Sequence, residues 1–242
     1  MNALAHLDEL RTIDLEGLNS AAQLQTRVDR KYIIPMRSLP GVLSELPDGA
    51  EVLDINGSTA LQYASQYFDT PELDSYLGAA RGRRRRFKVR ARTYVDSGGS
   101  FLEVKTRGGR SATVKERVPV DGDTLDDDAV TYAGDLLADA GIPRAADLAE
   151  RLEPVLVTRY RRATVLLPAV AGGDASRGTI DVDLTWIGAD GTSVFIAVQH
   201  PGEEGSYTDI RSAFPDYVPS EARPGDGEVR GPRPSIVQVY RT

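Results

Sequence analysis

The chain has 242 residues, 40% apolar and 27% charged, which is enough for a sizeable core and too apolar for a disordered polymer. It has no cysteine and two histidines, His6 and His200. Disulfides, thiolate metal sites and cysteine nucleophiles are excluded, and a multi-histidine metal centre is not expected. The net charge of −7 conceals an island: Arg81 to Arg117 holds 13 basic and 3 acidic residues, whereas the rest holds 16 basic and 33 acidic.

Along the chain, Ala3 to Leu24 mixes polar and apolar residues and predicts short helices. Leu24 to Ile34 reads as a first strand ending at Pro35, and Met36 to Leu46 as a short helix closed by Pro47. Leu61 to Phe68 reads as a strand. Thr70 as a cap with Pro71 at the first helical position predicts a short helix running towards Leu77. Arg84 to Val95, Ser100 to Thr106 and Ala112 to Val120 alternate in polarity and are separated by Gly98-Gly99 and Gly108-Gly109, the pattern of an antiparallel meander. Asp126 to Ala140 is amphipathic, begins with acids that suit the helix dipole and stops at Gly141; Ala145 to Leu152 continues as a second helical piece. Val155 to Leu167 reads as a strand. Arg177 to Ile187 pairs with Ser193 to Gln199 in a hairpin, Pro201 to Pro234 reads as loop, and Ser235 to Tyr240 as a closing strand.

No apolar run reaches the roughly 18 residues of a membrane span. The acids near the N-terminus do not suit a secretory leader, so a cytoplasmic location is expected.

The chemistry concentrates on the strand after Arg84. Arg84, Arg86, Lys88, Arg90, Arg92 and Tyr94 share one face, and Phe87, Val89, Ala91 and Val95 lie on the other. Neighbours on a face are about 6.6 Å apart, so at an effective dielectric near 20 each cation pair repels by about 2.5 kcal/mol. Solvated faces usually mix signs, so an unmixed cationic face points to an anion with several phosphates. Lys105 with Glu103 and Arg107, Lys115 with Arg117, Tyr160 with Arg162, and Lys31 with Arg27 and Asp29 repeat the pattern. Five such strands closed into a barrel would form a polar tunnel suited to a linear polyanion.

These pieces, R-V-D-R-K-Y at 27–32, Y-F-D-T at 67–70, F-K-V-R-A-R-T-Y at 87–94, F-L-E-V-K-T at 101–106, V-K at 114–115, T-R-Y-R-R-A at 158–163 and R-G-T-I-D at 177–181, occur in one order. In that order they resemble the VTC domain, the polyphosphate-polymerase branch of the triphosphate tunnel metalloenzymes. The resemblance covers residues 24 to about 185. It implies an α+β fold, an antiparallel β-barrel with flanking helices in a single domain over 1–242, with a core at about 24–200 and a loop-rich 201–234. It implies binding of ATP or triphosphate and of polyphosphate with a divalent metal, Mn2+ or Mg2+, and transfer of the γ-phosphate of ATP to a growing chain.

By position the resemblance makes Lys31, Arg90, Arg92, Lys105 and Arg162 the catalytic phosphate clamps, with Lys88, Lys115 and Tyr160 binding substrate. Glu103 and Asp181 are the carboxylates left for a metal, and both are also natural partners for a neighbouring arginine. The chain departs from the family near its end: Ala197 and Gln199 stand where an acid and a lysine belong in a late E-x-K strand, and Gln238-Val239-Tyr240 replaces S-K-Y.

Three other readings compete. One is a binding module that has lost turnover. Another is a triphosphate hydrolase of the same fold, disfavoured because its first strand reads Glu-x-Glu-x-Lys, where this chain has Arg27-Val28-Asp29-Arg30-Lys31. The third is a single-strand nucleic-acid binder, disfavoured because Phe87 lies off the cationic face, where stacking would need it. No nucleic-acid partner is therefore expected.

Overall fold

The computed structural model describes residues 4–22, 28–107, 113–169, 174–191 and 234–241. The chain divides into two compact units, one of residues 1–61, 160–184 and 195–242 and the other of residues 62–159 and 185–194.

The second unit holds the basic island. Its strands are β4 (Leu61–Asp69), β5 (Phe87–Tyr94), β6 (Ser100–Arg107) and β7 (Thr113–Val120), paired antiparallel in that order. The N-terminal part of β8 (Glu153–Leu167) borders β4, and Gln66 Nε2 donates to the Leu156 carbonyl at 3.3 Å. Period-two alternation sends Phe87, Val89, Ala91, Leu102 and Val104 to one face, where all are buried. Helices α4 (Asp127–Asp139) and α5 (Ala145–Glu150) cover that face with Ala129, Ala133, Leu137 and Ala145. Because the apolar face is covered, the charged residues of β5–β7 lie on the other side of the sheet, except Glu116, which pairs with Val104.

Helix α4 starts where Asp126 accepts a hydrogen bond from the Ala129 N–H at 2.8 Å. Gly141 at φ +70 then lets the chain leave the helix. Asp126→Ala should cost about 1 kcal/mol, the usual worth of an N-cap, in urea unfolding.

Helix α3 (Asp74–Ala80) starts three residues later than the Thr70-Pro71 signal predicts. Asp69, buried at the end of β4, takes the N–H groups of Thr70, Ser75 and Tyr76, and Thr70 Oγ1 accepts from the Asp74 N–H. The Ser75 hydroxyl donates to the Phe87 carbonyl and ties α3 to the start of β5. Y-F-D-T is therefore a structural clasp, and Pro71 lies in the turn before the helix. Another difference concerns β5, which begins at Phe87 rather than Arg84. Residues 81–86 form a turn, exposed except at the half-buried Arg86 and with Gly82 at φ +61, so Arg84 and Arg86 do not extend the alternating face.

The first unit contains β1 (Arg11–Ile13), α1 (Leu15–Ala21), β2 (Val28–Pro35), α2 (Leu39–Ser44) and β3 (Glu51–Leu53). It also contains the C-terminal part of β8, most of β9 (Ser176–Gly188), and β10 (Pro234–Arg241). The strand order is β2-β10-β9-β8, antiparallel where the register is resolved. The short strands β1 and β3, not expected from the sequence, pair in parallel with each other, and β3 pairs with β8. Three residues are too few to show a period. Leu7, Leu39, Val52, Ala163, Val165, Ile180 and Val182 form this unit's main core. Arg177, almost wholly buried, donates to the carbonyls of Leu18 and Ala22 and to Asn19 Oδ1, closing the C-terminal end of α1.

The α+β class expected from the sequence, antiparallel strands with flanking helices, is the class that folds. The second strand of the hairpin expected at Ser193–Gln199 and the loop expected over 201–234 fall largely outside the described residues, apart from Pro234 in β10.

Candidate functional site

Strand register turns the sequence pattern into rows across the second unit. Lys88 pairs with Lys105, and Lys105 with Lys115. Three of the chain's four lysines therefore stand side by side on adjacent strands, all exposed. Residues paired in this way have Cβ atoms about 5 Å apart, and like charges so placed destabilise a sheet. Next along the strands, Tyr67, Arg90, Glu103 and Arg117 make a second row, and Ser65, Arg92, Phe101 and Pro119 a third.

Glu103 is the hub. It is 2% exposed and takes Arg90 Nε at 2.7 Å and Lys115 Nζ at 2.6 Å, with Arg92 Nε 4.0 Å away. Three cations against one carboxylate leave the cluster with an excess of two positive charges. Arg92 is itself 8% exposed, and its Nε has no hydrogen-bond partner among the described residues. A buried guanidinium donor left in this way costs free energy until an acceptor arrives.

Burial alone would raise the Glu103 pKa, but the charges of Arg90 and Arg92 and the Lys115 contact outweigh it and hold the pKa at about 2. A carboxyl whose folded pKa is depressed contributes stability above its unfolded value and loses it as pH falls through the folded one. Stability should therefore fall below about pH 4 and go on falling towards pH 2, and Glu103→Gln should flatten that limb of a pH titration of unfolding.

Aromatic rings share this face, contrary to what Phe87 alone suggested. Phe87 is indeed buried in the core, but Lys88 Nζ lies 5.4 Å and the Arg90 guanidinium 5.6 Å from the Tyr67 ring centre. Arg92 stands over Tyr63 at 5.8 Å and Arg117 over Phe101 at 5.1 Å. Arg90 also donates to the Tyr67 hydroxyl at 2.9 Å. Burial would raise the Tyr67 pKa, yet Arg90 and Lys88 bring it below the usual tyrosine value. Tyr63 and Tyr67 were legible as alternate residues of L-Q-Y-A-S-Q-Y-F, but only the register with β5 gave them a role.

The remaining sequence candidates lie in the first unit. Lys31 is on β2, paired with Gln238. Tyr160 and Arg162 begin the unit's share of β8, and the Arg162 guanidinium stacks 5.2 Å from the Tyr160 ring centre. Arg162 also holds Asp181 with two bonds, at 2.5 and 2.7 Å. Ala197 and Gln199 lie outside the described residues, and Val239 pairs with Arg30 and Gly178.

The carboxylates do not fit a metal ion. Glu103 is held by Arg90 and Lys115, and Asp181 by Arg162. A Mg2+ ion at a phosphate site needs one or two carboxylates with free oxygens, phosphates and waters completing its shell, and here both carboxylates are already engaged by cations. Among the described residues no group of three acidic or histidine side chains offers an alternative. What the face of β4–β7 can do is bind an anion with several charged oxygens, through bidentate arginines and point-charge lysines. Among the described residues no helix is long and apolar enough to cross a membrane.

Comparisons with solved structures find low similarity. A candidate adenylate cyclase from Bacillus halodurans matches with TM-score 0.42 and 10% identity, covering 90% of this chain and 81% of that one. The PH1819 protein of Pyrococcus horikoshii matches with TM-score 0.39 and 11% identity over 90% and 78%. A candidate adenylyl cyclase of Hippeastrum, described as having a dominant triphosphatase activity, matches with TM-score 0.35 and 13% identity over 90% and 80%. No curated protein matches. The VTC domain model matches residues 26–215, a stretch that includes the residues expected to hold phosphate, both carboxylates and parts of both units, and the chain therefore belongs to the VTC domain family.

Proposed function

We propose that this protein holds triphosphate and polyphosphate on the cationic face of β4–β7 and transfers the γ-phosphoryl group of ATP to the end of a polyphosphate chain. The observation that carries the reading is the surplus of positive charge around Glu103, with the unsatisfied Arg92 Nε beside it. A phosphate oxygen would supply the acceptor that Arg92 lacks.

In the transfer, a terminal oxygen of the chain bonds to the γ-phosphorus and the bond from that phosphorus to the β–γ bridging oxygen breaks. ADP leaves, and the chain is one unit longer. Such a step needs positioning and charge stabilisation rather than a protein nucleophile. Arg90, Arg92 and Lys115 would hold non-bridging oxygens, and the row Lys88–Lys105–Lys115 would hold neighbouring phosphates. Lys31, Tyr160 and Arg162 are assigned to phosphate by family resemblance, and each is tested by its own alanine substitution. An ATP donor implies a cytoplasmic reaction.

The paired state of Glu103 and Asp181 favours a second reading, a phosphate-binding module with little turnover. Incubation of the purified protein with ATP and manganese, followed by detection of long-chain polyphosphate, separates the two. We expect slow synthesis alongside tight triphosphate binding that weakens steeply with salt, and no synthesis at all would leave the binding-module reading. Ala197→Glu with Gln199→Lys should raise metal-dependent turnover more than ATP affinity. Rapid synthesis by the unmodified chain would remove the binding-module reading. Absence of triphosphate binding at low salt in calorimetry would remove both.

A further inference from the structure

The turn before β5 is the strongest feature that the phosphate face leaves unused. From Arg81 to Arg92 the chain has eight basic residues and no acidic one. Five of the eight, Arg81 and Arg83 to Arg86, precede the strand. Arg85 has a structural place, with its guanidinium against Gly141 just beyond the C-terminal end of α4, where a cation is favoured. Arg81, Arg83 and Arg84 are exposed and make no ion pair with a described residue. Such unmixed charge repels itself unless an anion lies over it.

The surroundings give the turn a direction. It leads within two residues into Lys88, the first member of the lysine row, and Arg107 ends β6 at the same edge of the sheet, beside the Phe87–Thr106 pair. The opposite end of β5 is closed to anions. There Tyr94 packs edge-to-face against Tyr63 and Phe101, and the Asp96 carboxylate accepts from the Gln62 backbone N–H. The lysine row is three strands wide, about 10 Å, so a long chain must overrun it. Beyond the row, the cluster around Glu103 lies on one side and the exposed arginines of the turn on the other.

Resting on the phosphate-binding reading, we propose that Arg81, Arg83 and Arg84 form a second anion site that engages the part of a long polyphosphate chain extending past Lys88. The site adds affinity in proportion to chain length and contributes little to triphosphate, which the row and the Glu103 cluster hold by themselves. Polyphosphate suits the turn better than single-stranded nucleic acid, because the run from Arg81 to Arg86 contains no aromatic residue on which a base could stack.

The test compares full-length chains for binding of triphosphate, long-chain polyphosphate and a single-stranded oligonucleotide of matched charge. Arg81→Gln/Arg83→Gln/Arg84→Gln should weaken long-chain polyphosphate about tenfold while leaving triphosphate within about twofold, and it should flatten the salt dependence for the long chain only. The corresponding triple lysine variant should keep long-chain affinity. Lys105→Ala, the control within the row, should lose both ligands. If the glutamine triple melts early, Arg83→Gln and Arg84→Gln singly carry the same comparison. Equal losses for both phosphates, no loss for the long chain, or a larger loss for the oligonucleotide than for polyphosphate would each overturn the proposal while leaving the phosphate face standing. An unmodified protein that binds neither phosphate would overturn the face and the arginine site together.

Discussion

Replacing Glu103 by Gln should lower stability by about 3 kcal/mol and at the same time tighten triphosphate binding. The two effects have one cause. Glu103 is the buried anion to which Arg90 and Lys115 bond and which Arg92 approaches. Removing its charge leaves those cations repelling one another in a partly dry sheet face. Breaking a buried pair costs about 3–5 kcal/mol, and the low end applies because Lys115 is close to half exposed. The amide retains the shape and one acceptor oxygen, so the loss is electrostatic rather than steric. With the carboxylate gone the cluster carries three unbalanced charges instead of two, and a phosphate competes with nothing for the guanidinium groups. An affinity gain of about tenfold follows for one added unit of charge at close range, after screening. Added triphosphate should then raise the melting temperature of the variant more than that of the parent, because ligand binds only the folded chain. Thermal unfolding with and without triphosphate, with calorimetry, reads both effects. A variant as stable as the parent would show that Glu103 does not balance the cluster.

Arg92→Ala should weaken triphosphate binding by about 1.5–3 kcal/mol, roughly 10- to 150-fold, with much smaller damage to the fold. Arg92 is deeply buried, yet its Nε satisfies no described acceptor and sits 4.0 Å from Glu103. The guanidinium therefore brings a desolvation cost that the unliganded protein does not recover through hydrogen bonding. Truncation removes that cost along with the packing of the guanidinium on Tyr63, so the two effects on stability oppose each other. In the complex the balance differs, because the ligand oxygen satisfies the donor. Arg92→Lys should recover only part of the loss, since an ammonium cannot present the planar pair of donors. Titration calorimetry on the two variants checks the order. Equal affinity of Arg92→Ala and the parent would place the phosphate elsewhere on the face.

The faces of β5, β6 and β7 were readable from residues alone. Side-chain direction in a strand reverses at every residue, so F-K-V-R-A-R and F-L-E-V-K-T each state which residues stay together. The start and end of α4 were equally local, set by Asp126 and Gly141. The family was legible too, through seven short motifs that occur in its order. The three-residue β1 and β3 were not legible, because their pairing rests on a partner distant in sequence.

Residue order alone settles which side chains travel together on one face. Which strands lie side by side, and in which register, comes from the folded sheet. That register makes a row of Lys88, Lys105 and Lys115, sets Tyr67 beside Arg90, and surrounds Glu103 with three cations. It also decided that Asp69 and Ser75 clamp α3 onto the start of β5, so that the strand begins at Phe87 and the arginines before it belong to a turn. The difference is one of range. Alternation follows from the backbone geometry of neighbouring residues, whereas register follows from packing and hydrogen bonds between residues far apart in the chain, which no short stretch encodes.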